Sequence, residues 1–133
     1  MKFADSNIIL YSLLAKQAPA KHAIAIALLK SEDIILSTQV VSEVSAVLTR
    51  KSSLSNKEIQ RIAEDLYLRF PVLPIEKEDL LDAFSIRESY QFSFWDSLIV
   101  AVALRIDATV LYSEDTHDGM VVRNRLTIRN PFI

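Results

Sequence analysis

Every residue from Leu98 to Leu104 is apolar, and the surrounding stretch, Ser93 to Ile106, has neither glycine nor proline to break a helix. A helix that is apolar on all faces has no side to show to water and has to be enclosed by other elements. The chain therefore folds about one core helix, and that helix begins beside a carboxylate, Asp96. Asp96 has an ordinary explanation. Ser93 stands in the N-cap position, and an acid three residues on can return a hydrogen bond to complete a capping box. Three further acids in equivalent places give it a second one.

The rest of the chain alternates strands and helices. Lys2 to Ala4 reads as a short strand ending at Asp5, and Ile8, Ile9, Tyr11, Leu13 and Leu14 continue it as a mostly apolar helix. A second helix follows from Ala20 to Lys30, then a buried strand at Ile34 to Leu36. After Ser37, Val40, Val44, Val47 and Leu48 form a helical stripe with Glu43 at its border. A carboxylate bordering a buried face is costly unless something pairs with it.

Leu54 to Phe70 reads as a surface helix with a Ser55/Glu58 capping box, and Val72-Leu73, bracketed by Pro71 and Pro74, as a short strand. The helix from Glu76 to Ser89 is expected to turn Leu80, Ala83 and Phe84 inward. Its early acids, Glu76, Glu78, Asp79 and Asp82, are expected to serve structure, because a helix dipole favours negative charge in the first turns. Thr109 to Tyr112 reads as a fourth strand and Leu126 to Ile128 as a fifth. Strands alternating with helices imply parallel βαβ units. The expectation is one α/β domain spanning residues 1–133, three-layered α/β/α, with a short parallel sheet of four to five strands.

Composition removes several classes of function. There is no cysteine, so a disulfide framework, a thiolate metal site and a thiol nucleophile are excluded, and the single glycine excludes a glycine-rich phosphate loop. No apolar run approaches the roughly 20 residues that span a bilayer, and Asp5 interrupts the place where a signal peptide would turn hydrophobic. A cytoplasmic protein without a membrane partner is expected. The net charge of −2 decides little, since acids committed to a cation reverse its sign. Arg123, Arg125, Arg129 and the Arg50-Lys51 pair are cations that phosphates could meet, although such groups are more often solvated surface.

In an open parallel sheet the helix after each strand starts at the strands' carboxyl edge, where ligands bind. Asp5, Glu43, Asp96 and Asp115 all fall at that edge. Four carboxylates converging without matching lysines or arginines repel one another, and a divalent cation neutralises them. Hard oxygen donors without cysteine or a histidine pair select Mg²⁺ or Mn²⁺. Such ions activate water, orient a phosphodiester and stabilise its leaving oxygen. Asn7 and Ser113 suit hydrogen bonds that aim the carboxylates, and equally suit caps and turns.

Asp5-Ser6-Asn7 after a strand, Ser37-Thr38-Gln39-Val40-Val41-Ser42-Glu43-Val44, Phe94-Trp95-Asp96-Ser97-Leu98 and Leu111-Tyr112-Ser113-Glu114-Asp115 together resemble the four motifs of the PIN-domain nucleases, especially the VapC-type toxins of prokaryotic toxin–antitoxin pairs. The resemblance covers nearly the whole chain. It implies a Mg²⁺-dependent endoribonuclease, a homodimer, and a small antitoxin that blocks the site. Asp5, Glu43, Asp96 and Asp115 match the family's acidic quartet, with Asn7 and Ser113 as polar neighbours. Glu114 and Asp118 compete with Asp115 for the fourth place. His117 reads as a bystander, and Phe94 and Trp95 are expected to pack beside the core helix rather than stack on a base. A PIN-like nuclease in RNA or DNA processing and a non-catalytic interaction module are the alternatives. A HAD-type phosphatase would need an acid where Asn7 stands.

Overall fold

The helix that composition places at the centre is there. In the computed structural model, which describes residues 1–133, Ser97 to Leu104 are all buried within helix α6 (Phe94–Arg105). Around it run, in chain order, β1 (Lys2–Ala4), α1 (Ser6–Leu13), α2 (Pro19–Ser31), β2 (Ile34–Ser37), α3 (Thr38–Lys51), α4 (Asn56–Arg69), β3 (Val72–Leu73), α5 (Lys77–Tyr90), β4 (Val110–Tyr112), β5 (Val121–Val122) and β6 (Leu126–Arg129). The helices pack mainly as two groups, α1 to α4 and α5 with α6, which with the sheet make an α/β/α arrangement.

The sheet has strand order β3-β2-β1-β4-β6-β5. Phe3 of β1 lies level with Ile35 of β2 and with Leu111 of β4, and Ala4 with Tyr112, all in parallel pairing. The residues that follow Ala4 and Tyr112, Asp5 and Ser113, therefore leave the sheet side by side at its carboxyl edge.

Two features depart from the sequence-based expectation. The sheet has six strands, not four or five, and β5 runs antiparallel to β6. β5 is two residues long, too short for an alternating pattern to register. Its turn is made by Arg123 (φ 51°) and Asn124 (φ 56°), with the Arg125 N–H bonded back to Val122 at 3.1 Å. That is a hairpin turn with both central residues left-handed, which asparagine tolerates well but arginine does not advertise.

The second departure is the rotation of α5. Its buried face is Asp79, Ala83 and Ile86, while Leu80 and Phe84 are 42% and 57% exposed. The cause is the cap. Asp79 accepts the Glu76 N–H at 2.8 Å and the Arg105 Nε–H at 2.8 Å, which draws the carboxylate inward and turns its neighbours out. At α4 capping follows expectation: Ser55 and Glu58 form a reciprocal box. At α6 only half of the box forms. The Ser93 hydroxyl accepts the Asp96 N–H at 3.1 Å, but no bond returns from the Asp96 carboxylate, which is left for other use. No helix is long and apolar enough to cross a membrane.

Asp79→Ala removes a helix cap and a charge-assisted hydrogen bond, while Arg105, a third exposed, can turn to solvent. It should therefore lower unfolding stability by about 2 kcal/mol in urea titrations. Asp82→Ala, which breaks the half-exposed pair with Arg123, should cost less than about 1 kcal/mol. Equal losses in the two variants would contradict this account of α5.

Candidate active site

Asp5 ends β1 and caps α1, and it is only 4% exposed. One of its oxygens accepts the Ser6 N–H at 2.7 Å, and the other accepts the Ser113 hydroxyl at 2.7 Å. The Ser113 oxygen in turn accepts the Asp115 N–H at 3.2 Å. Asn7 donates to the Asp115 carboxylate at 3.0 Å and accepts the Glu114 N–H at 3.3 Å. Two short polar side chains thus tie the start of α1 to the loop after β4.

Glu43, one turn into α3, and Asp96, in the first turn of α6, complete the group, each half-buried. Gln39 donates its amide to Glu43 at 3.1 Å and to the Trp95 carbonyl at 3.0 Å, which links α3 to the head of α6. The four acids feel one another. Burial pushes Asp5 up to about 7, with the charges of Glu43 and Asp96 adding to it against the hydrogen bonds from Ser113 and Ser6. Burial raises Glu43 too, and Asp96 and Asp115 raise it further. Asp96 is raised by burial and then by Asp115, against the Ser93 hydroxyl. No lysine or arginine offsets these shifts.

The competitors for the fourth place are engaged elsewhere. Glu114 is partly buried, but its ion pair with Lys21 and the 2.8 Å bond from the Tyr11 hydroxyl hold it below its ordinary value. Asp118 accepts the Asn130 N–H at 2.9 Å beside the turn at Gly119 (φ 85°). His117 is exposed and makes no side-chain hydrogen bond. The tail cations are also largely spent: Arg123 forms a two-pronged pair with Asp82, and Arg125 pairs with Asp107.

No three acidic or histidine side chains stand, as they are, in an arrangement that could hold a metal ion. The donor chemistry nonetheless fits a hard divalent cation, since four oxygen-bearing groups share one edge, three of them with raised proton affinity and none with a cationic partner. Such a cation would be held by Asp5, Glu43, Asp96 and Asp115.

Beside Glu43 opens a cleft of about 460 Å³, lined by Thr38, Gln39, Ser42, Ala46, Ile75 and Trp95. Trp95, expected to pack, is 60% exposed, because the core of α6 begins only at Ser97. Gln39 was also not singled out by its sequence. Its signal is the spacing to Glu43, four residues on, along the border of the valine stripe. A separate cavity of about 240 Å³, lined by Ile9, Leu66 and Phe70 among others, contains none of the four acids.

The PIN-domain family profile matches residues 2–118. Among solved structures, the chain is similar to the VapC20 toxin of Mycobacterium tuberculosis, described as cleaving the sarcin–ricin loop, at 20% identity and a TM-score of 0.71 over 86% of this chain and 90% of that one. It is similar to a toxin–antitoxin complex from Klebsiella pneumoniae at 18% identity and 0.72, over 98% of both chains. A third is VapBC2 of Rickettsia felis bound to a promoter DNA fragment, at 18% and 0.65, over 97% and 98%. At such identities the likeness is one of fold. No curated protein matches the sequence.

Asp5 takes up a proton near pH 7 when folded, against an ordinary value of 3.8. Between these values the folded chain holds a proton that the unfolded chain has released. The contribution of this group is therefore fully present below the ordinary value and is lost as pH rises through 7, by roughly 4 kcal/mol in all. In EDTA, the melting temperature should fall between about pH 5.5 and pH 8, and Asp5→Asn should flatten the slope. A melting temperature that rises over that interval because of Asp5 would contradict the assignment.

Proposed function

We propose a function from the premise that the chain belongs to the PIN-domain family: it is a Mg²⁺-dependent endoribonuclease, the toxin of a toxin–antitoxin pair, acting in the cytoplasm as one unit over residues 1–133. The observation that carries this reading is the convergence of Asp5, Glu43, Asp96 and Asp115 on one sheet edge, where burial and the neighbouring acids raise the proton affinity of Asp5, Glu43 and Asp96. A bound Mg²⁺, or Mn²⁺ in its place, supplies Lewis-acid activation of water and neutralises charge on the phosphodiester.

The chain's own groups do the positioning. Asp5, with both oxygens bonded, is the fixed member of the set. Asn7 aims Asp115 and Gln39 aims Glu43, so each of these acids has one oxygen directed by a neighbour. Asp96 stands at the head of the helix whose residues Ser97 to Leu104 are all buried, and its backbone N–H is held by Ser93. Substrate phosphates approach an edge whose acids are too weakly neutralised to receive them without a cation.

The toxin role draws support from the relatives: VapC20 is described as a toxin that cleaves the sarcin–ricin loop, one of the others is a toxin–antitoxin complex and the third is VapBC2 bound to promoter DNA. A small antitoxin protein and RNA are the proposed partners. A homodimer is part of the reading, and the exposed Leu80, Leu81 and Phe84 of α5 offer apolar surface for it.

The test is cleavage of structured and single-stranded RNAs by purified protein in Mg²⁺ or Mn²⁺. Cleavage should vanish in EDTA, and Asp96→Asn should lose at least about 100-fold with its fold intact by circular dichroism. Ser113→Ala should lose about 10- to 100-fold, since it frees Asp5 without removing a donor to the cation. Cleavage unaffected by EDTA, or full activity in Asp96→Asn, would overturn the reading.

A further inference from the structure

We propose that the cleft beside Glu43 is a nucleobase subsite, in which an unpaired RNA base lies against the Trp95 indole and gives an N–H to Gln39 Oε1. The inference rests on the ribonuclease reading and deepens it by assigning the group that selects the nucleotide next to the acids.

Gln39 is buried, and its Oε1 has no hydrogen-bond partner in the protein. Its orientation is fixed by chemistry. The amide nitrogen donates to Glu43 Oε1 and to the Trp95 carbonyl, both pure acceptors, so a flipped amide would set oxygen against oxygen. The free atom is therefore an acceptor. A buried acceptor without a partner is costly, and the side chain that carries it lines the cleft, so a small shift of the amide presents the covered Oε1 to a donor entering there.

Trp95 supplies the flat wall. It is 60% exposed, yet it is not loose: Phe94 meets it edge-on at 5.4 Å, Phe84 lies 5.4 Å behind Phe94, and its own carbonyl is held by Gln39. The cleft, about 460 Å³, is within the roughly 300–1,000 Å³ of ligand sites. Stacking on an aromatic ring with hydrogen bonds to the base edge is how proteins read single-stranded RNA. Adenine, cytosine and guanine each carry an exocyclic amine for Oε1, whereas uracil offers only its N3–H, flanked by two carbonyl oxygens that repel the acceptor. The cleft therefore favours amino-bearing bases over uracil, and because Glu43 forms its inner wall, that preference acts beside the site of cleavage.

The chain has one tryptophan, so its fluorescence reports this cleft alone. With Ca²⁺ in place of Mg²⁺ to spare the strands, wild-type protein is titrated with hexamers of adenylate, cytidylate and uridylate and with an abasic hexamer. Binding is followed in parallel by anisotropy of 5′-labelled strands. Adenylate and cytidylate strands should quench saturably, uridylate more weakly, and the abasic strand not at all. Trp95→Ala should weaken binding and raise KM about tenfold with little change in kcat, and Trp95→Phe should retain most of the affinity. Strands that bind by anisotropy while fluorescence stays unmoved, or an abasic strand that quenches equally, would overturn the subsite while RNA cleavage in Mg²⁺ still upheld the ribonuclease. Quenching by an arginine-rich peptide but by no RNA would make the cleft a protein-docking site and also overturn it. Absence of both RNA binding and cleavage would overturn the two readings together.

Discussion

The 2.7 Å hydrogen bond from Ser113 to Asp5 is the contact on which the acidic edge depends. It joins the carboxyl ends of the two central strands, β1 and β4, inside the protein, and it does so with a carboxylate that burial would otherwise push toward the neutral form. A donor in that position favours the charged form, and the Ser6 N–H on the other oxygen does the same. Because the Ser113 oxygen also accepts the Asp115 N–H, the loop carrying the fourth acid is held from the same point. Loss of that bond would release both ends of the edge at once.

The buried helix α6 makes this arrangement affordable. A cluster of acids with raised proton affinity is destabilising in a small chain, and the enclosed run from Ser97 to Leu104, with Phe3, Leu36 and Ile128 in the same core, supplies apolar burial to offset it. The same helix fixes Asp96 at its head. The element that stabilises the fold is thus the one that aims an acid, and a change that loosened the core would also disturb the site.

Much of this was legible in the sequence, for physical reasons that differ by region. α6 could be read because a helix apolar on all faces has one possible location, and the Ser55/Glu58 box because a cap is a local interaction between neighbours in sequence. The convergence of Asp5, Glu43, Asp96 and Asp115 followed from where parallel strands end. The rotation of α5 could not be read: besides capping the Glu76 N–H, Asp79 turns inward to meet Arg105, which is distant in sequence. The hairpin of β5 and β6 was hidden by its two-residue strand and an arginine in a left-handed turn. The exposure of Trp95 runs against the packing that its core neighbours suggest, because the helix buries its faces only from Ser97 onward. Gln39 is recognisable only once the fold brings the Trp95 carbonyl within reach.

The proposed function stands on the acids acting as one cation site, and a Mn²⁺ titration of the intact protein followed by electron paramagnetic resonance tests that most directly. The account predicts saturable binding that Mg²⁺ competes away and that Asp5→Asn or Asp96→Asn each weakens severely, while Glu114→Gln, whose acid is already paired with Lys21, leaves it nearly unchanged. Absence of saturable binding, or binding indifferent to Asp5 and Asp96 and sensitive to Glu114, would contradict it.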